Sequence, residues 1–242
     1  MIELPTADNP VVVIDGDCLD VLPLLPKGCV DSVITDPPYG IDYATNRVDR
    51  GVSASWRGKK IANDETTDAR DAVLGWARRH RLPWACFGTW KIPKPSDARG
   101  VLIWYKGPAF GMGDLSFPWK GSWEEIYIGG PGWTGPRDEG VLKGHMVMTW
   151  ESKGRSHPTE KPASLLRVII KKLPSSATVL DPFAGSGTTG VAAILEGRRA
   201  ILIEKDPVYA DICRRRVAEA MGKPTVIAGG RVVGNNLFAG VP

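Results

Sequence analysis

The stretch that most constrains the fold lies late in the chain. An apolar run from Ala177 to Leu180 meets Asp181-Pro182-Phe183-Ala184-Gly185-Ser186-Gly187-Thr188-Thr189-Gly190, followed by a helix-compatible stretch to Glu196 and a second apolar run, Ala200 to Ile203, that ends in Glu204. Glycines at 185, 187 and 190 have the spacing of a strand-to-helix turn at which a nucleotide can approach the backbone closely. That spacing alone is a weak signal; the strand before it, the helix after it and the acid at the end of the next strand supply the context it needs. Glu204 stands where a carboxylate can hold the two hydroxyls of a ribose. Fewer than forty residues follow it, enough for one helix, about Pro207 to Met221, and one short strand, Thr225 to Ala228. The missing strands must come from the N-terminal part, so the sheet reads as circularly permuted.

That N-terminal part carries a second signal. The run Val30 to Thr35, with β-branched Val33, Ile34 and Thr35, stops at Asp36-Pro37-Pro38-Tyr39. It reads as a buried strand delivering a carboxylate and an aromatic ring to the carboxyl edge, where open α/β sheets place their chemistry. Asp36 and the Pro37 carbonyl can each accept one hydrogen of an exocyclic NH2 group, while Tyr39 stacks on the planar ring that bears it. Read blandly, the same residues are a strand and a rigid turn.

With both motifs in this order, the chain resembles the β-group of amino-methylating DNA methyltransferases, and the resemblance covers most of its length. Asp15-Gly16-Asp17 resembles the strand end whose acid, Asp17, meets the cofactor adenine. Asp36, Pro37, Pro38 and Tyr39 match the catalytic motif, with Asp36 also near the cofactor. His157-Pro158-Thr159-Glu160-Lys161-Pro162 matches the segment lining the methionine end of S-adenosylmethionine, which implies His157, Thr159, Lys161 and Pro162 as cofactor contacts. Asp181, Phe183, Ala184, Gly185, Ser186, Gly187, Thr188 and Thr189 match the glycine loop, and Glu204 the ribose acid. Val101 to Lys106 and Trp123 to Ile128 are similar to the family's weaker strand motifs.

The resemblance implies an α/β fold: a doubly wound, mainly parallel, Rossmann-like methyltransferase sheet, circularly permuted so that the catalytic motif precedes the glycine loop. It also implies S-adenosyl-L-methionine as cofactor and double-stranded DNA as partner, and it leaves room for a homodimer and a cognate restriction endonuclease. Asp36 as the first motif residue favours adenine N6 as the target, since cytosine-N4 members of this order more often place serine there; cytosine N4 stays the alternative. Amino methylases of RNA or glutamine side chains usually begin the motif with asparagine. A nicotinamide-dependent oxidoreductase would use the same glycine turn but would leave residues 36–39 and 157–162 without a role.

At 242 residues the chain suits one α/β domain, about 1–228, able to bury about 70% or more of its unfolded surface. Residues 1–9 are acidic and polar rather than signal-like, and no uninterrupted apolar stretch is long enough to span a bilayer, so a cytoplasmic protein without membrane contact is expected. Cys18, Cys29, Cys86 and Cys213 lack C-x-x-C spacing and histidine pairs, so neither a metal site nor a disulfide framework is expected. No Pro-Cys pair offers the thiolate that methylation of cytosine carbon 5 requires. His80 and His145 read as surface or packing residues.

The formal charge is +4, a modest basic balance that suits a polyanionic partner. Between Ile41 and Lys60 stand Arg47, Arg50, Arg57, Lys59 and Lys60 against two aspartates, a net of +3, in a segment without helical or strand period. Residues 41–66 therefore read as a basic loop that contacts DNA just after the catalytic motif. Residues 129–156, glycine-rich with Trp133 and Trp150, read as a candidate target-recognition insertion using Arg137, Lys143 and Arg155. Arg214-Arg215-Arg216 reads as a solvated helix face, and residues 229–242 as an extended tail. The remaining elements are expected as strand 11–14, helix near 17–25, helix 67–80, strands 84–87, 101–105 and 124–128, and helix 161–173.

Overall fold

The computed structural model describes residues 2–39, 66–107, 116, 118–119, 121–145, 160–222, 225–227 and 231–233. Eight strands form one sheet: β1 (Val11–Asp15), β2 (Ser32–Thr35), β3 (Trp84–Gly88), β4 (Gly100–Tyr105), β5 (Trp123–Gly129), β6 (Val141–Leu142), β7 (Thr178–Asp181) and β8 (Arg199–Glu204). Their spatial order is β1-β8-β7-β2-β3-β5-β4-β6. All pairings are parallel except those of β5, which runs antiparallel to both β3 and β4. The sheet is thus doubly wound and mainly parallel, with the glycine-turn strand β7 beside the Asp36 strand β2.

Strands covered on both faces read as unbroken apolar runs rather than alternating ones. β2 shows why: all four of its residues are buried. Val33 belongs to a core with Leu74, Trp84 and Leu180, while its neighbour Ile34 belongs to the core on the other face with Leu165, Ala192 and Leu202. The first core is closed by α2 (Asp68–Arg79), whose Val73, Leu74, Trp76 and Ala77 fall at helical spacing on the buried side. The second is closed by α3 (Ala163–Ile170), α4 (Thr188–Leu195) and α5 (Pro207–Ala220).

The helix expected near 17–25 is short. α1 (Cys18–Val21) gives way to a 3-10 turn over Leu22–Leu24, because Pro23 and Pro26 have no N–H to continue the ladder. The stretch from 129 is not wholly loop either. Val141–Leu142 pairs with Ile103–Trp104 as the edge strand β6, and Thr134 donates to Lys172 O at the far end of α3. Part of the expected tail pairs as well: β9 (Thr225–Ile227) and β10 (Arg231–Val233) form an antiparallel hairpin. Among the described residues no helix is long and apolar enough to cross a membrane, and no group of metal-ligating side chains forms. The cysteines are free, and Cys18, Cys86 and Cys213 are buried, as packing residues would be.

Candidate active site

The carboxyl ends of β2, β7, β8 and β1, with the start of β5, meet at one edge of the sheet. Asp36 leaves β2 there with 28% of its side chain exposed. Its Oδ1 accepts from the Tyr39 hydroxyl at 2.8 Å, and its Oδ2 lies 2.7 Å from Lys161 Nζ. Lys161, on the segment entering α3, is almost buried; its ammonium also stands 3.4 Å from Glu124 Oε2 on β5 and 3.4 Å from the Tyr39 hydroxyl. Lys106 pairs with the other Glu124 oxygen. Two carboxylates and two ammonium groups therefore form one compact, neutral set.

These neighbours set the protonation states. Burial pushes the Asp36 carboxyl above its usual value, with Glu124 adding to it, against the pull of Lys161 and Tyr39. For Lys161, burial opposes the charge, but Asp36 and Glu124 outweigh it and hold the ammonium above its ordinary value. Glu124 feels the same burial, yet Lys161 and Lys106 hold it below the usual range. Burial first, then Asp36 and Glu124, keep the Tyr39 phenol protonated. Lys161, expected to line the cofactor's methionine end, has its ammonium on the Asp36 motif, where a buried cation is balanced by two carboxylates. Pro162 is buried and caps α3 with φ −68°.

The glycine loop follows β7. Gly187 begins α4 at φ +81°, and a Cβ there would lie 2.5 Å from Cys213 Sγ, so conformation and space both demand glycine. Gly185 has φ +52°, and among the described residues no atom lies within 4 Å of a Cβ position there, so that side can admit a ligand. Its N–H donates to Glu204 Oε2 at 2.7 Å, and Asp206 N donates to Oε1 at 2.8 Å. Burial raises the Glu204 carboxyl, only partly countered by those two amides. Asp17 stands beside it, since Gly16 N bonds Glu204 O at 2.9 Å. Asp17 caps α1 through Leu19 N and pairs with Lys205 at 2.9 Å; the Lys205 bond, then the Leu19 amide, hold it below the usual carboxylate range.

Not every loop residue faces outward. Phe183 and Gly185 are partly open, whereas Ala184, Ser186, Gly187, Thr188 and Thr189 are buried. Asp181, 3% exposed, accepts from Thr35 Oγ1 at 2.8 Å, Thr189 Oγ1 at 2.5 Å and Phe183 N at 3.2 Å. Both its oxygens are engaged, and through them this carboxylate ties β2 to the glycine loop. Burial lifts it to about 6 despite those donors.

Arg216 corrects the expectation of a solvated face. Arg214 and Arg215 are exposed, but Arg216 lies on the flank of α5 next to buried Cys213 and Val217. It donates to Ser186 O at 2.8 Å, Ser186 Oγ at 2.6 Å and Thr188 Oγ1 at 3.2 Å, and pairs with Glu160. A three-arginine run hides this, because successive helix residues point about 100° apart; the i+3 step from Cys213 was the available signal. Glu124 was likewise missed, inside a strand motif read only for its apolar residues.

Of the DNA-facing residues expected, Arg47, Arg50, Arg57, Lys59, Lys60 and Arg155 lie outside the described residues, as do His157 and Thr159. Arg137 and Lys143 are exposed but do not form one patch. β5 ends at Gly129 opposite Trp84, the start of β3, and Asp138 pairs with Lys172 beyond the end of α3, so Arg137 belongs to the sheet edge away from Asp36. Lys143 follows β6, which runs parallel to β4 and returns the chain to the Asp36 edge. There His145 O accepts from Trp104 Nε1 at 2.8 Å.

A family model described as DNA methylase, of the N6/N4 methyltransferase type, matches residues 130–215. The chain is 31% identical over 223 residues to "Putative methylase YubD" of Escherichia coli (strain K12), a match covering 85% of this chain and 89% of that protein. It is 42% identical to "Type II methyltransferase M2.MboI" of Moraxella bovis over 74 residues, 30% of this chain and 27% of the other. Among solved structures it is similar to the M1.HpyAVI–SAM complex, at 19% identity and TM-score 0.61, covering 86% of this chain and 98% of that one. It is also similar to PvuII DNA methyltransferase (cytosine-N4-specific), at 18% identity and TM-score 0.57, covering 88% and 87%. At such identities the structures establish the shared Rossmann-like sheet, and the sequence relatives establish kinship. The chain belongs to the N6/N4 DNA methylase family, the S-adenosylmethionine-dependent amino methyltransferases.

Proposed function

We propose that this protein transfers a methyl group from S-adenosylmethionine to the exocyclic amine of a base flipped out of double-stranded DNA, and that the base is adenine. The observation that carries the reading is a carboxylate, Asp36, held at a strand end beside an open glycine turn by a carboxylate clamp, Asp181, that spans the two. The cofactor suits this edge: Gly185 leaves room for close approach, Glu204 presents a carboxylate for ribose hydroxyls, and Asp17 flanks it for the adenine. When bound, S-adenosylmethionine supplies a methyl group already activated on a sulfonium.

The chain's own residues do the rest. The adenine amine is a poor nucleophile because its lone pair is delocalised into the ring. Asp36 and the Pro37 carbonyl accept its hydrogens, favour a more tetrahedral nitrogen and stabilise the positive charge that grows on it during attack. Tyr39 stacks on the extruded base and returns part of the stacking lost on flipping, which costs a few kcal/mol. Alignment of nitrogen, carbon and sulfur provides much of the remaining acceleration. Arg47, Arg50, Arg57, Lys59 and Lys60 hold phosphates, which positions the duplex without reading it, and Lys143 and Arg155 lie on the stretch that reads sequence. Similarity to a type II methyltransferase supports a cognate endonuclease and a cytoplasmic setting; self-association into a dimer is measured by ultracentrifugation.

The test is to incubate unmodified DNA with labelled S-adenosylmethionine and identify the modified nucleoside by mass spectrometry. N6-methyladenine is the expected product. N4-methylcytosine would transfer the assignment to cytosine, and absence of any methylated nucleoside would overturn the reading.

A further inference from the structure

Oε2 of Glu124 is buried, and among the described residues its one contact with a cation is a long one, the Lys161 ammonium at 3.4 Å, without the geometry of a good hydrogen bond. An acceptor left without a hydrogen bond inside a protein is costly and points to a second arrangement in which it is filled. Among the described residues the cation facing it is also the cation on Asp36 Oδ2, at 2.7 Å. Lys106 is committed to the other Glu124 oxygen. Lys161 therefore sits between two carboxylates, close to one and within a small displacement of the other. The ammonium itself lies over the rings of Phe87 and Tyr39, 5.1 and 5.7 Å from their centroids, a face on which it can shift between the two carboxylates without losing the aromatic contact.

We propose that Lys161 is a positioning residue that changes partners during turnover: it neutralises Asp36 in the resting site and passes to Oε2 of Glu124 when the target amine reaches Asp36. The inference rests on the reading of Asp36 as acceptor of that amine. A cation held against the acceptor would repel the positive charge that grows on the attacking nitrogen, and would compete with the amine for Oδ2. Glu124 removes both obstacles by taking the ammonium, and returns it once the product leaves. Without Lys161 the resting Asp36, partly buried and facing a second carboxylate, would be driven to its protonated form and lose its acceptor function.

Among the described residues, the groups facing Asp36 leave this pair as the one that can exchange the ammonium. Tyr39 on the same segment is a neutral donor. Cys86 on β3 is a thiol held neutral by burial, with Arg70 beyond it. Asp181 on β7 is fixed by two threonines. Lys106 pairs with Glu124 and lies over the Trp104 ring. Removing the charge of Glu124 should therefore lower the pKa of Asp36, and removing that of Lys161 should raise it.

Single-turnover methylation rates of wild type, E124Q, K161M and the double variant, measured against pH alongside calorimetric affinity for S-adenosylmethionine, test the exchange. E124Q should lower the plateau rate about tenfold, less than the ~10²–10³ of a group that contacts the reacting atoms directly, and should move the acid limb to lower pH. K161M should move that limb to higher pH. Cofactor affinity should stay within a few-fold, and the double variant should be no slower than K161M, since Glu124 acts through Lys161. E124D, which keeps the charge but withdraws the acceptor by one methylene, should lower the plateau with little shift of the limb; it stands in if E124Q does not fold. A wild-type plateau in E124Q or E124D, or losses that multiply in the double variant, overturns the exchange. Activity in Asp36→Ala would instead overturn the reading of Asp36 itself, which separates the two failures.

Discussion

Replacing Glu204 by glutamine isolates the carboxylate assigned to the ribose. In the free protein its two oxygens accept from Gly185 N at 2.7 Å and Asp206 N at 2.8 Å, so the side chain is already aimed before the cofactor arrives. The amide is nearly isosteric, but it loses the charge, and its NH2 must oppose one of those two backbone donors. A hydrogen bond to a charged group contributes about 1.5–3 kcal/mol against about 1 for a neutral one. Two ribose bonds weakened in that proportion amount to about 1–4 kcal/mol, or roughly a 5- to 700-fold rise in Kd. Calorimetric titration with S-adenosylmethionine reads it directly, with a thermal melt to confirm that the variant is folded. Because burial holds the Glu204 carboxyl above its usual value, acidification should protonate it early and weaken binding in wild type, a component the variant lacks. A Kd within threefold of wild type, with the same acid dependence, would refute the ribose assignment.

Asp36→Ala should cut methyl transfer by about 10²–10³ or more while leaving cofactor affinity within a few-fold, because charge stabilisation at the amine is separate from the glycine loop; rapid turnover in the variant, followed by radiolabel transfer, would sink the catalytic role. Arg216→Met removes three hydrogen bonds to the glycine loop, a loss of about 3 kcal/mol at roughly 1 kcal/mol each. It should lower both Tm and cofactor affinity, with saturating cofactor recovering part of the Tm; an unchanged melt would show the clamp to be idle. Asp181 gives a pH signature. Its folded pKa, about 6, is raised above the unfolded value of 3.8, so its contribution to stability is full below 3.8 and is lost as pH rises through about 6. Acidifying from neutrality should therefore stabilise wild type relative to Asp181→Asn, and parallel denaturation curves for the two would refute it.

The positions of most strands and the mainly parallel sheet were legible from two rules, whereas the spatial order of the strands was not. β-branched runs bounded by proline or glycine mark doubly covered strands, and the shortage of chain after Glu204 forces the remaining strands to come earlier. What was not legible is where long side chains end. Lys161 and Pro162 are adjacent in one motif, yet the ammonium reaches the Asp36 motif while the Pro162 carbonyl accepts from Leu165 N at the start of α3. Ser186, Thr188 and Thr189 look like ligand hydroxyls by position, but they satisfy Arg216 and Asp181. Arg137 and Lys143 are six residues apart and end on opposite edges, because the intervening chain crosses the sheet's flank and enters β6. Pairings such as Arg216 with Glu160 join residues far apart in sequence, and no periodicity encodes them.

The Asp181 carboxylate bonded to Thr35 and Thr189 has a consequence for how such a protein can diversify. Thr35 precedes Asp36 directly, and Thr189 lies in the first turn of the helix that follows the glycine loop. The separation between Asp36, the proposed amine acceptor, and the glycine loop, the proposed cofactor site, is therefore fixed by a three-point brace inside the sheet, with none of its points in residues 40–65 or 146–159. Chain can be lengthened, shortened or exchanged in those two stretches without altering the brace. Grafting a stretch from a relative should thus change which DNA is modified while the chemistry keeps its rate, making specificity an exchangeable module mounted on an invariant ruler.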